Sequence, residues 1–277
     1  MGIFDWFTTK ENTETQRVEI QRDVDFSDFN TVTDFIYQKS GITDLEKRGF
    51  TSSKLQKFAL ESGVYTSKEF LEKMQFSELF LQDVLNITTV NETFFYREEK
   101  ELDWLVKYIK QSKKRVEILS MPCSSGEEIY SIILLMQREK IELNRVRFHG
   151  YDINSQAVEK AKKALYEEHS LHKVTLRERE KYFVQKSQGK YEIRDDLKKN
   201  ILFLQKNIFD IKEKNCFDIV LSRNMFIYFD DKKRELALNI IVALLRDGGI
   251  YIKGHADQIK EHKSLKNIHY GIYSKQI

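Results

Sequence analysis

Apolar residues along this chain recur with two different periods, and the change of period divides it. Over residues 25–85 the spacing is helical. Phe26, Phe29, Val32, Phe35 and Ile36 share one face. Phe70, Leu71 and Met74 share another, behind a capping Thr66 or Ser67, and Leu79, Leu81, Val84 and Leu85 continue the pattern. No strand-like alternation interrupts it, which predicts an all-helical N-terminal domain over residues 23–88. Residues 1–22 are polar and charged after an aromatic cluster of Phe4, Trp6 and Phe7, and are expected to form a flexible arm.

From Val116 onward short apolar runs alternate with helical ones. Strands are expected at 116–121, 146–153, 217–222, 250–254 and near 268–273, and helices at about 125–140, 155–166 and 230–246. The last helix places Leu236, Ile240 and Leu244 on one face, and Asp247-Gly248-Gly249 reads as its stop. A small β-insertion is expected at about 185–206, from the runs 190–194 and 201–204. Such alternation predicts an α/β domain over residues 89–277, a doubly wound, mostly parallel sheet with helices on both faces. The final two strands lack a helix between them, so an antiparallel hairpin is expected at the sheet edge.

Composition narrows the class without naming a partner. The 277 residues are 41% hydrophobic and 32% charged, with a formal net charge of +3. One proline and 11 glycines exclude collagenous and low-complexity chains. Cys123 and Cys216 form no C-x-x-C pair, so neither a disulfide framework nor a zinc site is expected, and a reducing cytoplasm is the default. The six histidines show no metal-ligand spacing, and no metal is expected. No secretion signal and no apolar run long enough to span a bilayer are read, so no direct membrane insertion is expected and the triplets at Asn86 and Asn91 are coincidental as glycosylation sites.

The candidate chemistry sits where the first strand of the α/β part turns into a helix. That loop reads Pro122-Cys123-Ser124-Ser125-Gly126-Glu127-Glu128, and the second strand ends at Asp152. In a doubly wound sheet, a glycine turn followed at roughly 20 residues by an acid holds a nucleoside, with the acid accepting ribose hydroxyls. The glycine is expected to let backbone approach the ligand. A dinucleotide loop carries more glycines and receives a pyrophosphate at the helix N-terminus. Here Glu127 and Glu128 fill the first turn, complement the helix dipole themselves and repel a pyrophosphate. A ribose joined to a sulfonium cation, as in S-adenosylmethionine, fits better.

Four segments then carry a resemblance: Asn-Glu-Thr-Phe-Phe-Tyr-Arg at 91–97, Ser-Ser-Gly-Glu-Glu-Ile-Tyr-Ser at 124–131, Tyr-Asp-Ile-Asn-Ser-Gln-Ala-Val-Glu-Lys-Ala at 151–161 and Ser-Arg-Asn-Met-Phe-Ile-Tyr-Phe-Asp at 222–230. With Gly-Gly-Ile-Tyr-Ile-Lys-Gly-His at 248–255, the chain resembles the CheR family of chemotaxis receptor methyltransferases over about residues 25–260. The resemblance implies a class I methyltransferase-like fold and S-adenosylmethionine as cofactor, with S-adenosylhomocysteine as product. It implies cofactor contacts from Asn91, Thr93, Arg97, Glu128, Asp152, Asn207, Ile208, Arg223 and Asn224. Arg97 and Tyr228 become the expected catalytic residues. Ile129 replaces a proline common in the family, and Pro122-Cys123 replaces a small residue.

The reaction so implied is attack by a glutamate oxygen of a receptor on the sulfonium methyl. A glutamate with a pKa near 4.3 is already ionised, so no general base is required. Arg97 would hold a carboxylate through its planar fork, either the substrate's or the cofactor's. The expected partners are cytoplasmic domains of methyl-accepting chemotaxis receptors, with the enzyme cytoplasmic and recruited to membrane receptor arrays. Two other classes compete. A nucleic-acid methyltransferase would use the basic residues Lys160, Lys162, Lys163, Lys173, Arg177, Arg179, Lys181, Lys186 and Lys190, but glutamates interleave them and the rim at 222–228 lacks a proline loop. No nucleic-acid partner is therefore expected. A non-catalytic cofactor-binding signalling module is the other; intact Arg97 and Tyr228 speak against it.

Overall fold

The computed structural model describes residues 23–43, 45 and 52–276. The expected arm at 1–22 lies outside the described residues. Four helices come first: α1 (Asn30–Ser40), α2 (Ser52–Glu61), α3 (Ser67–Phe76) and α4 (Glu78–Thr88). Thr66 is the cap of α3. Its hydroxyl accepts from the Glu69 N–H while the Glu69 side chain returns to the Thr66 N–H, a reciprocal box that satisfies two otherwise orphaned donors. Ser77 caps α4, which starts the next helix so that Phe80, Val84 and Leu85 point inward. Leu79, expected on that face, is 82% exposed because it lies one residue out of register. Phe29, Val32, Ile36, Phe70 and Met74 complete this core, with Phe26 and Phe35 packed at its edge.

Then follow α5 (Glu99–Gln111), β1 (Val116–Ser120), α6 (Glu127–Arg138), β2 (Val146–Asp152), α7 (Ser155–Lys163), β3 (Leu165–Glu167), α8 (Leu176–Tyr182), β4 (Phe183–Ser187), β5 (Lys190–Ile193), β6 (Ile201–Gln205), β7 (Phe217–Ser222), α9 (Asp231–Leu244), β8 (Leu245–Lys253), β9 (Leu265–His269) and β10 (Ile272–Lys275). The main sheet has seven strands in the order β6-β2-β1-β7-β8-β10-β9. The first five are parallel, and β10 runs antiparallel to both its neighbours. Successive strand residues face opposite layers. Ile118, Ile219 and Ile252 join a core with α5 and α6, whereas Leu119, Val220 and Tyr251 join one with α9. Both faces are thus covered, as a parallel sheet requires.

Several boundaries differ from expectation. The run at 201–204 belongs to the main sheet: β6 pairs in parallel with β2 from Phe148↔Ile201 to Asp152↔Gln205. The small sheet has the order β3-β5-β4 and takes its third strand from Leu165–Glu167, the stretch expected to end helix 155–166. The helix stops earlier because Ala164 adopts a left-handed φ of 51°. Short apolar runs announce a strand but not its partner, which is chosen by packing far away in sequence. On α9 the buried face is Ala237, Leu238, Ile241 and Leu244, and Leu236 is exposed. The helix ends directly into β8, and Asp247-Gly248-Gly249 forms a bulge inside that strand, between the pairs Phe217↔Leu245 and Ile219↔Ile250. The strand expected near 268–273 is the β9–β10 hairpin, turning at Gly271 with φ 69°.

Candidate active site

In a doubly wound sheet ligands bind at the carboxyl ends of the strands, where connections diverge. Here β1 is flanked by β2 on one side and β7 on the other. A cavity of about 240 Å³ opens at that position, lined also by the segment 89–97, by Ser40 at the end of α1 and by Ile42 just beyond it. All ten residues expected at the site line it. The helical part is fastened over this cavity. Thr43 donates to the Tyr228 carbonyl at 2.9 Å, and Tyr37 donates to Asp230 at 2.7 Å.

One wall comes from β1, β2 and the loop between β1 and α6. Asp152, buried at the tip of β2, accepts from the Ser124 N–H at 2.8 Å and the Asn154 N–H at 2.8 Å. Burial pushes its carboxyl up to about 6, against those amide bonds, so it stays mostly ionised at neutral pH. Ser124, absent from the expected set, also lines the cavity; its hydroxyl oxygen is buried with no hydrogen-bond partner among the described residues. Glu128 and Glu127 part company although adjacent. Glu128 lines the cavity and accepts from Ser120 at 2.8 Å. Glu127 turns away, accepts from Ser125 and has its carboxyl pushed up by burial. Gly126 has φ 93°, and a Cβ there would meet Ala161 at 3.1 Å and the Tyr166 hydroxyl at 3.2 Å. The glycine is therefore required by the turn and by packing against α7, not by approach to a ligand.

The other wall, from β7 and β8, is built on buried charge. The Arg223 guanidinium donates to Glu128 at 2.6 Å, to Glu98 at 3.2 Å and to the Arg97 carbonyl. Burial alone would lower its pKa, but Glu128 and Glu98 raise it above the ordinary value, so it is a permanent cation. Asn224 adopts φ 60°, a conformation asparagine tolerates, and its N–H donates to Asp257 at 2.5 Å. Asp257 also accepts from the Phe226 N–H at 2.8 Å and the Gly254 N–H at 3.1 Å, and burial pushes its carboxyl up to about 6. Neither Asp257 nor Glu98 was singled out from the sequence. Acids in charged loops carry no local signal of the distant groups they will meet.

The remaining expected residues differ in how committed they are. Asn207 spends its side chain on structure: its oxygen caps Phe209 and its amide donates to the Lys39 carbonyl. Ile208 is buried among apolar neighbours. The Tyr228 hydroxyl donates to the Val90 carbonyl at 3.0 Å, tying this residue to the segment 89–97. Asn91 is exposed and Thr93 half-buried. Arg97 donates to the Glu92 carbonyl at 2.9 Å, and among the described residues no carboxylate stands within ion-pair distance of it. Cys123 is buried, and its thiol is held well above the ordinary range, first by burial and then by Asp152 and Glu128, so no thiolate nucleophile is available. Glu98, Glu101 and His255 gather potential metal-ligand atoms within 4.8 Å, but Glu101 is hydrogen-bonded to His255 at 2.7 Å and Glu98 to Arg223.

S-adenosylmethionine suits these residues. An ionised Asp152 offers acceptors for a ribose diol, the Ser124 hydroxyl awaits a partner, and the cavity wall carries carboxylates suited to a cation rather than a pyrophosphate. Fold and cavity together suit a domain that binds S-adenosylmethionine. Residues 91–272 match the family described as CheR methyltransferase, SAM binding domain. The chain belongs to this family. It is 34% identical over 254 residues to a chemotaxis protein methyltransferase of Campylobacter jejuni, covering 90% of this chain and 96% of the relative. Chemotaxis protein methyltransferase 2 of Vibrio cholerae is 32% identical, with 87% and 89% covered. The chemotaxis protein methyltransferase of Borreliella burgdorferi is 26% identical, with 95% and 99% covered. Among the described residues no helix is long and apolar enough to cross a membrane.

Proposed function

We propose that this chain esterifies glutamate side chains of chemotaxis receptors with the methyl group of S-adenosylmethionine. The observation that carries this reading is Arg97: a cavity-lining guanidinium whose fork is paired with no carboxylate among the described residues. Planar, bidentate recognition of a carboxylate is what arginine supplies and lysine does not. The cofactor, when bound, supplies an electrophilic methyl on sulfur. Everything else falls to the chain. Asp152 and Ser124 hold the sugar end, and Arg223, neutralised by Glu98 and Glu128, fixes the first turn of α6 against the rim. Tyr228, anchored on Val90, sets one boundary of the space a glutamate enters, and Met121, Ile208 and Phe229 keep that space poor in water. Alignment of the two reactants accounts for the larger part of the rate, up to roughly 7–11 kcal/mol in well-oriented systems.

The partners in this reading are cytoplasmic receptor domains, helical and rich in glutamate, with the enzyme in the cytoplasm and recruited to receptor arrays. A receptor segment adding a strand to the edge of the small sheet would tether it. The nucleic-acid reading loses support from the basic stripe itself, where Lys162 pairs with Glu159, Arg179 with Glu168 and Lys186 with Glu192. Acids thus interrupt the stripe at three of its nine cations, which works against a continuous phosphate track. The test is transfer of a radiolabelled methyl group from the cofactor to receptor fragments, followed by mild base. Release of the label as methanol is expected of a carboxyl ester. Label that survives base would contradict the assignment, and an unchanged rate in Arg97→Ala would remove that residue from it.

A further inference from the structure

The wall of the cavity at Phe94 carries more cation than one reacting carboxylate needs. Phe94 lines the cavity, and its ring has the Arg97 guanidinium 5.9 Å from the centroid and the Lys173 ammonium at 5.1 Å. His172 packs on the same ring, centroids 4.6 Å apart, which fixes its plane. Lys173 is held in place by donating to the Tyr96 carbonyl at 3.3 Å. That bond uses one of three ammonium donors, and no carboxylate among the described residues pairs with the rest. The acids nearest in sequence are already engaged: Glu168 pairs with Arg179 and Glu178 with Arg138. Lys173 thus stands exposed on the ring of the cavity-lining Phe94, which also carries Arg97, with no carboxylate paired to it among the described residues.

We propose that Lys173 is a specificity-determining residue that binds a second, non-reacting carboxylate of the substrate, one helical turn from the glutamate being methylated. This rests on the reading that the substrate is a glutamate-bearing helix. On a helix, side chains three or four residues apart are neighbours about 5–6 Å apart at Cβ. Arg97 and Lys173 lie 5.9 Å and 5.1 Å from the centre of the same ring, a span that two glutamate side chains one turn apart can bridge, with Arg97 lining the cavity and Lys173 reading the neighbour. The segment that carries Lys173 lies between β3 and α8, outside the main sheet, so substrate choice can vary there without disturbing the cofactor wall.

The experiment compares two helical receptor-type peptides in methyl-ester formation by the full chain. One has aspartate and the other asparagine a single turn from the reactive glutamate. The parent chain is expected to show a KM about three- to fivefold lower for the aspartate peptide, the size of a solvent-exposed charge pair. In Lys173→Gln that preference should vanish through KM with kcat kept, and Lys173→Arg should retain it. A preference that persists in Lys173→Gln, or none in the parent chain, would overturn the inference. Failure of the parent chain to esterify either peptide would sink the functional reading itself, and the inference with it.

Discussion

The two walls of the cavity each hold a buried aspartate whose carboxyl is pushed up to about 6, yet the two do different work. Asp152 ends a strand, lines the cavity and keeps acceptor capacity beyond its two amide bonds. Asp257 stands behind the other wall and collects the N–H groups of Asn224, Phe226 and Gly254, fixing the chain that presents Asn224 and Tyr228. The same perturbed carboxylate is therefore a ligand-facing group in one place and a backbone clamp in the other. A raised pKa marks burial; which atoms the oxygens face decides the role.

The strongest way to break this comparison is to remove the buried cation of the second wall. Arg223→Met leaves Glu98 and Glu128 facing each other without a counter-charge, and loss of one partner in a buried pair costs about 3–5 kcal/mol. Urea denaturation should show it; a loss near zero would mean that the charges do not hold the rim. Next comes Gly126→Ala. A residue with a side chain at φ 93°, pressed on Ala161, is expected to destabilise the fold by about 1–3 kcal/mol. Loss of cofactor affinity at full stability would instead restore the glycine as a ligand-contact residue.

The smallest effect is the dependence on pH, and its sign differs between folding and binding. Both aspartates have folded values of about 6, raised above the ordinary 3.8. Their contribution to stability is therefore fully present below 3.8 and lost as pH rises through about 6. Affinity for S-adenosylhomocysteine runs the other way, because protonation of Asp152 removes an acceptor for the ribose. Urea melts and calorimetric titrations between pH 7.5 and pH 5 (roughly one unit either side of the titration) should move in opposite directions. A parallel change would place a different group in control of binding.

Much of the first wall was legible in the sequence because it is local. The loop and the Asp152 strand tip lie within one strand-helix-strand unit, whose spacing reflects the geometry it must form. Even there the reason for Gly126 was hidden, since Ala161 and Tyr166 come from beyond the loop. The second wall was legible only through a family resemblance at 222–230, and its scaffold was not legible at all. Arg223 meets Glu98 across 125 positions and Glu128 across 95, and no periodicity records such pairings. The strand at Ile201–Gln205 was misplaced for the same reason. Its apolar run was visible, but its pairing with β2 was not.

The most direct measurement is calorimetric titration of S-adenosylhomocysteine into the parent chain and into Asp152→Asn at neutral pH. The parent should bind one equivalent, and the variant, folded but short of one charged acceptor, should bind about 10- to 100-fold more weakly. Equal affinity in the two proteins would contradict the account, because the nucleoside would then rest somewhere other than the cavity at the tip of β2.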